Sequence, residues 1–481
     1  MALKQSDLTL TQKLREYAES DFYPCHMPGH KGSGNTGSVF DCLHGMDITE
    51  IDGFDNLHHA DDILRKVQDD AATAFGADAS FYLVGGSTTG ILAAVSAALP
   101  AGGELLIARN CHKSVYHAAY LRSLKLHYIL PGFDREGQIF EPVTACQVRD
   151  ALKRHPDAGA VLITSPTYEG LTANVEEIAE VVHKQNIPLI VDEAHGAHFG
   201  FAECLPPNSN AWADLVVQSL HKTTKALTQT ALLHVNGERV PAALVQRYLD
   251  IYMTSSPSYL LMASMEEAVV DLRDHGEKLY REFMERVSGF LRQTAELKQL
   301  FVYNGKRNKA DPCKILICSR MTEFSGKDLY NVLLQRYHLQ MELCENNHVL
   351  AIMMPYDRQE GFDRLAVALN EIDQSLLYGL PGKDCSRSVN ADMLPVCLPR
   401  QAKILAESWG GGHFVPLSEC DGKVSAEFIY QYPPGIPLIV PGEVWDEAAI
   451  HQVKERIARG YEILGINEKS GTIGAMVNDD G

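Results

Sequence analysis

IPLIVDEAHGAHFGFAECLPPNSNAWADLVVQSLHKTTK, residues 187–225, holds two short apolar runs, each stopped by polar residues. Ile187–Val191 runs into Asp192, and the LVVQ of Leu215–Gln218 runs into Ser219, His221 and Lys222. Runs of this length, rich in β-branched residues and apolar on both faces, suit strands covered from both sides. Similar runs occur at Phe81–Val84, Glu104–Ala108, His127–Leu130, Ala160–Thr164 and Leu232–Val235. The segments Gly90–Leu99, Lys113–Leu124 and Val175–Asn186 have the apolar spacing of amphipathic helices. This alternation predicts an α/β large domain with a mainly parallel sheet and helices on both faces.

In an open parallel sheet, ligands bind beyond the carboxyl ends of the strands. Asp192 and Lys222 would therefore project into one crevice although thirty residues separate them. That pair matches the needs of pyridoxal 5'-phosphate (PLP): an amine for its aldehyde, and a carboxylate that keeps the pyridine nitrogen protonated. A third element fits the phosphate. GGSTTG, Gly85–Gly90, follows the strand FYLV and opens a helix, which offers free amides and the hydroxyls of Ser87 and Thr88. Ser219 and His221 could complete the cradle. Taken singly, a strand-end lysine is usually solvated and a strand-end aspartate usually a cap. It is the ordered combination that points to PLP.

The 481 residues carry a net charge of −19, which disfavours nucleic acid and anionic membranes as partners and favours a cationic small molecule. The eleven cysteines are scattered without a Cys-x-x-Cys pair, as expected of reduced thiols in the cytoplasm. No signal-like or membrane-spanning apolar run is visible. The reading divides the chain into an N-terminal segment (1–60), a large domain (61–300) and a small α+β domain (301–377). A linker (378–392), a C-terminal α+β module (393–468) and a frayed tail (469–481) follow. A long helix is expected over Pro257–Leu300. The small domain is expected to contain strands at Lys314–Cys318 and His348–Met353.

The chain resembles the PLP-dependent ornithine/lysine/arginine decarboxylases of the aspartate-aminotransferase fold, PLP fold type I. The resemblance is carried by HMPGHKGS (His26–Ser33), DITEIDGFDNLH (Asp47–His58), the GGST turn, RNCHKS (Arg109–Ser114) and SPTYEG (Ser165–Gly170). It continues through DEAHGAHF (Asp192–Phe199), SLHKT (Ser219–Thr223), TSSPSYLLMASME (Thr254–Glu266) and YPPGIPLIVPGE (Tyr432–Glu443). It covers nearly the whole chain and is closest to the short form, without a receiver-like domain before the PGHK segment.

The resemblance implies that Lys222 binds PLP, Asp192 faces the pyridine nitrogen, and Gly86, Ser87, Thr88, Ser219 and His221 hold the phosphate. His112 would stack on the ring, and it or Lys222 would return the proton to Cα. His195 stands where several relatives have Trp. Thr254–Ser258 would reach a neighbouring subunit, giving a homodimer or larger assembly with shared sites. Glu443 would meet the substrate's distal cation. The expected reaction is decarboxylation of arginine or lysine, or of ornithine, to the corresponding amine. The same cofactor residues would serve an aminotransferase or another lyase. A metal hydrolase using Asp192, Glu193, His195 and His198, or His26 and His30, is a remoter reading, as is a non-catalytic scaffold.

Overall fold

The computed structural model describes residues 9–20, 41–303, 310–321, 323–377, 409–469 and 472–478. The PGHK segment and the linker expected at 378–392 lie outside them. The large sheet has seven strands: β1 (Ala79–Leu83), β2 (Glu104–Ala108), β3 (Lys125–Ile129), β4 (Ala160–Thr164), β5 (Leu189–Asp192), β6 (Leu215–Gln218) and β7 (Ala231–Val235). Their spatial order is β1-β7-β6-β5-β4-β2-β3. The five strands from β3 to β6 run parallel, while β7 is antiparallel to both β6 and β1.

Strand alternation divides the core into two layers. On β4, Ala160 and Leu162 face one layer and Val161 and Ile163 the other; on β5, Ile190 faces the first, and Leu189 and Val191 the second. Helices Ala145–Arg154 and Val175–His183 cover the second layer with Val148, Ala151, Ile178 and Val182. The first layer is larger. Helices Gly86–Ala98 and Lys113–Leu121 and the long helix Tyr259–Gln293 pack there, together with the N-terminal helix Leu10–Ala18. The N-terminal helix opens with a Thr9–Gln12 capping box and buries Leu10 and Leu14. The long helix starts where Ser258 caps it and ends seven residues before the expected Leu300, because Leu300 begins a strand.

The small domain is a four-stranded antiparallel sheet, β8 (Leu300–Val302), β9 (Lys314–Ser319), β10 (Leu343–Cys344) and β11 (His348–Ile352), in the order β8-β9-β11-β10. Helices Gly326–Tyr337 and Gln359–Leu377 accompany it. The C-terminal module has two small sheets around the fully buried Trp445. In one of them Ile429–Gln431 pairs with Pro437–Ile439 and with Ile463–Leu464.

The tail departs from expectation. Thr472–Asn478 is a strand, paired with His413–Pro416, Val424–Ser425 and Ile466–Lys469. Its polar, glycine-containing sequence reads as a frayed end, yet Ala475 and Val477 are fully buried, because it lies between partners contributed from elsewhere in the module. Ending the chain at Lys469 would uncover that core. The thermal unfolding midpoint of such a truncation should fall by several degrees; an unchanged midpoint would mean that the strand adds nothing to stability.

Candidate active site

The carboxyl ends of β2, β4, β5 and β6 open into a cavity of about 420 Å³. Asp192 is the last residue of β5, and the turn after β6 becomes the short helix Leu220–Thr223, which carries His221 and Lys222. Register places Asp192 beside Val217 of β6, so the two polar strand ends lie side by side. Ser87, His112, Asp192, His195, His221 and Lys222 all line the cavity, as the sequence suggests. The loop after β2 supplies Asn110 and His112. The loop after β4 supplies Thr167, Tyr168 and Glu169, and the C-terminal module adds Tyr432, Pro434 and Ile436.

Burial governs the electrostatics. It lowers the Lys222 amine below its usual range and raises the Asp192 carboxyl, each shift opposed by the charge of the other. Asp192 also accepts from the Ala194 amide at 3.2 Å. His112 is pushed down to about 3 by burial and by the nearby Lys222, so it is a neutral imidazole. Its Nδ1 lies 2.9 Å from Ser114 Oγ, and its other edge packs against Gly435, where a Cβ would stand 3.2 Å from Nε2. Gly435 also has φ +76°, a conformation that glycine accommodates best.

His195 is buried between two amines, with Nε2 3.2 Å from Lys222 Nζ and Nδ1 2.8 Å from Lys314 Nζ. Tyr168 leans on the His195 ring at a centroid distance of 4.6 Å and donates its hydroxyl to Glu342, another cavity residue.

The residues expected to hold PLP fit that group. Gly86 has φ +73°, with only the Gln229 carbonyl oxygen, 3.9 Å away, near where a Cβ would stand, and the helix it begins has no side-chain cap on its N-terminal amides. Ser219 Oγ is buried with no hydrogen-bond partner among the described residues, so a donor is available for an incoming acceptor. Ser87 lines the cavity, whereas Thr88 faces solvent. His221 is anchored through Nδ1 to the Thr230 carbonyl at 2.8 Å.

The profile of the Orn/Lys/Arg decarboxylase major domain matches residues 9–306, and that of the family's C-terminal domain matches 385–455. The chain belongs to the Orn/Lys/Arg decarboxylase family. It is 31% identical to the arginine decarboxylase of Bacillus subtilis (strain 168) over 476 residues, 96% of each chain. It is 25% identical to the lysine decarboxylase of Hafnia alvei over 315 residues, 60% of this chain and 42% of that one. The fold matches the lysine decarboxylase of Francisella novicida with a TM-score of 0.82 at 19% identity, covering 98% of this chain and 82% of that one. The enzyme is thus a PLP-dependent decarboxylase of a basic amino acid. Among the described residues, no helix is long and apolar enough to cross a membrane.

Two expectations need correction. Glu443 does not line the cavity. The residue is 5% exposed, and its carboxylate forms a bidentate pair with Arg109, Nε to Oε1 at 3.1 Å and a terminal guanidinium nitrogen to Oε2 at 3.0 Å, while the Val440 amide donates to Oε2. The buried guanidinium competes for that acid, and no signal within RNCHKS reveals a partner 334 residues away. Nor do the four residues considered as metal ligands converge. Glu193 accepts from Ser209 and Gln218, His198 pairs with Asp311, and His195 faces the two lysines. Thr254–Ser256 is exposed and Ser258 caps the long helix.

Sequence reasoning also missed Lys314, Glu169 and Glu342. For Lys314 a signal existed: a long cation opening the otherwise apolar strand KILICS. Glu443→Ala should destabilise the enzyme by about 3–5 kcal/mol in chemical denaturation, since Arg109 would remain buried without its carboxylate. A cost under about 1 kcal/mol would contradict the assignment.

Proposed function

We propose that this enzyme decarboxylates arginine to agmatine, with Lys222 as the cofactor lysine, Asp192 as the partner of the pyridine nitrogen and Glu342 with Glu169 as receptors of the guanidinium. The observation that carries the reading is the composition of one cavity. Lys222 and Asp192 line it together with two further carboxylates. Burial raises the Glu169 carboxyl above its usual range, whereas Glu342 is exposed and bonded to Tyr168. A guanidinium keeps its charge throughout and offers planar donors to both acids. The resemblance to arginine decarboxylases over nearly the whole chain supports the same choice.

When bound, PLP supplies the electron sink that makes loss of CO2 possible. The protein's own part is to bind, orient and move protons. The acids fix the distal end of the substrate so that its α-carbon lies near Lys222. His112, backed by Gly435, would stand against the cofactor's ring. Tyr432, Pro434 and Ile436 line the same cavity and would limit water beside the reacting carbon, leaving its proton to Lys222 Nζ or His112 Nε2. His112, neutral near pH 7, can serve as the acid only after it has taken a proton. We further infer a cytoplasmic homodimer. Cys111, Cys146, Cys204, Cys313, Cys318, Cys344 and Cys420 are free, and the exposed hydroxyls of Thr254–Ser256 would be open to a second copy.

Purified enzyme given arginine, lysine and ornithine in turn should form agmatine fastest; preferential cadaverine or putrescine formation would overturn the substrate assignment. Glu342→Gln removes a charge-assisted contact of about 1.5–3 kcal/mol and should lower kcat/KM for arginine roughly ten- to hundredfold. Equal values in both proteins would place the guanidinium elsewhere. Borohydride reduction of the PLP-loaded enzyme, followed by peptide mapping, should find the pyridoxyl group on Lys222. Label on Lys113, Lys225 or Lys314 would refute the choice of lysine.

A further inference from the structure

His195 is a single neutral ring asked to bond two amines. Its Nε2 lies 3.2 Å from Lys222 Nζ and its Nδ1 2.8 Å from Lys314 Nζ. The ring is buried, as is Lys314, and burial next to two lysines holds His195 far below its usual pKa, so it is not an imidazolium. A neutral imidazole has one N–H and one lone pair. Two arrangements are therefore possible. Either Lys314 is an ammonium donating to Nδ1 and Nε2–H faces an uncharged Lys222, or Lys222 is the ammonium and Lys314 is uncharged.

Three observations select the first. The Lys314 contact has the length of a charge-assisted bond and the Lys222 contact that of an ordinary one. Asp311, three residues before Lys314, is held ionised by His198 and by the Cys313 amide, which places a fixed negative charge beside Lys314. Gly170 packs directly on the Lys314 stem, where a Cβ would stand 2.6 Å from Cγ, so the long side chain is confined to this path.

We propose that Lys314 is a positioning residue that fixes His195 as the Nε2–H tautomer, so that the ring presents a donor to Lys222 and holds its amine in the uncharged, nucleophilic form. The step is a proton placement without bond exchange: Lys314 keeps its proton, Nδ1 accepts, and Nε2–H points at the lone pair of Lys222 Nζ. The inference rests on Lys222 being the cofactor lysine. Other groups also act on the two amines. Asp192 and Glu342 act on Lys222, and Asp311, Glu342 and Cys313 on Lys314; the charge of Lys222 also lowers Lys314, and His112 and His221 face His195. Burial brings Lys314 to about 8, so its ammonium, and with it the donor to Nδ1, is largely present near neutral pH and is lost as the pH rises past that value.

The test uses the cofactor-free enzyme. Competitive labelling of lysines with an amine-reactive reagent across pH, read by mass spectrometry, gives the apparent pKa of Lys222 itself. Lys314→Met frees the ring to accept from Lys222, so that pKa should rise by about one unit or more, a roughly tenfold loss of reactivity at neutral pH. Lys314→Arg keeps the charge and the donor and should restore the wild-type curve. In a His195→Phe background, Lys314→Met should have a smaller effect than in wild type, because the relay is already broken. An unchanged curve in Lys314→Met, or an Arg variant that behaves like Met, overturns the proposal.

Should Lys314→Met fail to fold, 15N-histidine NMR of the wild-type chain, with the His195 signal assigned by its loss in His195→Gln, reads the tautomer directly. Nε2–H supports the proposal; Nδ1–H or a doubly protonated ring overturns it. Borohydride mapping of the loaded enzyme is a separate measurement, so a label found away from Lys222 would defeat the cofactor assignment without deciding the tautomer.

Discussion

The guanidinium of Arg109 ties the molecule together. It sits one residue beyond β2 and three residues before His112, and nearly all its hydrogen-bonding capacity is spent on the C-terminal module: two bonds to Glu443 and one each to the Pro437 and Leu438 carbonyls. The rings of Tyr116 and Tyr128 lie 5.8 and 5.4 Å from its central carbon. A buried ion pair is a poor source of net stability, because both charges must leave water. What it does well is fix geometry. Any slip of the module by a fraction of a hydrogen-bond length would leave a charge buried without its partner, so one docking position is far lower in energy than its neighbours. The consequence reaches the cavity at once. Lys113 N donates to the Gly435 carbonyl at 3.1 Å, and Gly435 backs His112, so the wall of the site is held by the same interface.

Within that frame the cavity carries charge that an apolar core would reject. Lys314 and Asp192 are buried and Lys222 is half-buried beside them. Burial drives each toward its neutral form, and the array is tolerable because the charges are arranged in opposing neighbours. This is the local conflict with stability expected at a functional site. Here the neighbours of the strand ends are chosen for proton position at the expense of packing.

The legibility of the chain follows the range of the interaction. The five parallel strands and Asp192 with Lys222 were readable because strand periodicity is local and the carboxyl edge of a parallel sheet gathers strand ends from distant segments. Helix starts were readable where caps are local, as at Ser258. Glu443 was misread because the stiff PGE turn indicates a placed acid without indicating the cation it faces. Arg109 comes from another domain, and only the docked module brings the two together. The strand Thr472–Asn478 was hidden for the same reason: a polar segment becomes a buried strand when three partners supply its hydrogen bonds. Lys314 begins a strand of the small domain, and its reach into the site depends on the placing of two domains.

The reassignment of Glu443 changes where substrate choice must reside. If the acid of the PGE turn is committed to Arg109, its presence in a sequence reports docking of the C-terminal module and carries no information about the length of the substrate. With Glu342 and Glu169 as the proposed receptors, length would instead be set by their distance from Lys222 across the cavity. Glu342 immediately precedes β10 in the small domain, and Glu169 follows β4 in the large one. Because the pair comes from two domains, a small change in their relative placement would alter the reach without altering any cofactor residue. Their different surroundings also matter after CO2 has left, when the product carries one negative charge fewer than the substrate. A fully buried pair of acids would hold that extra positive charge tightly. Glu342 faces water, which screens its attraction and leaves the amine a route out.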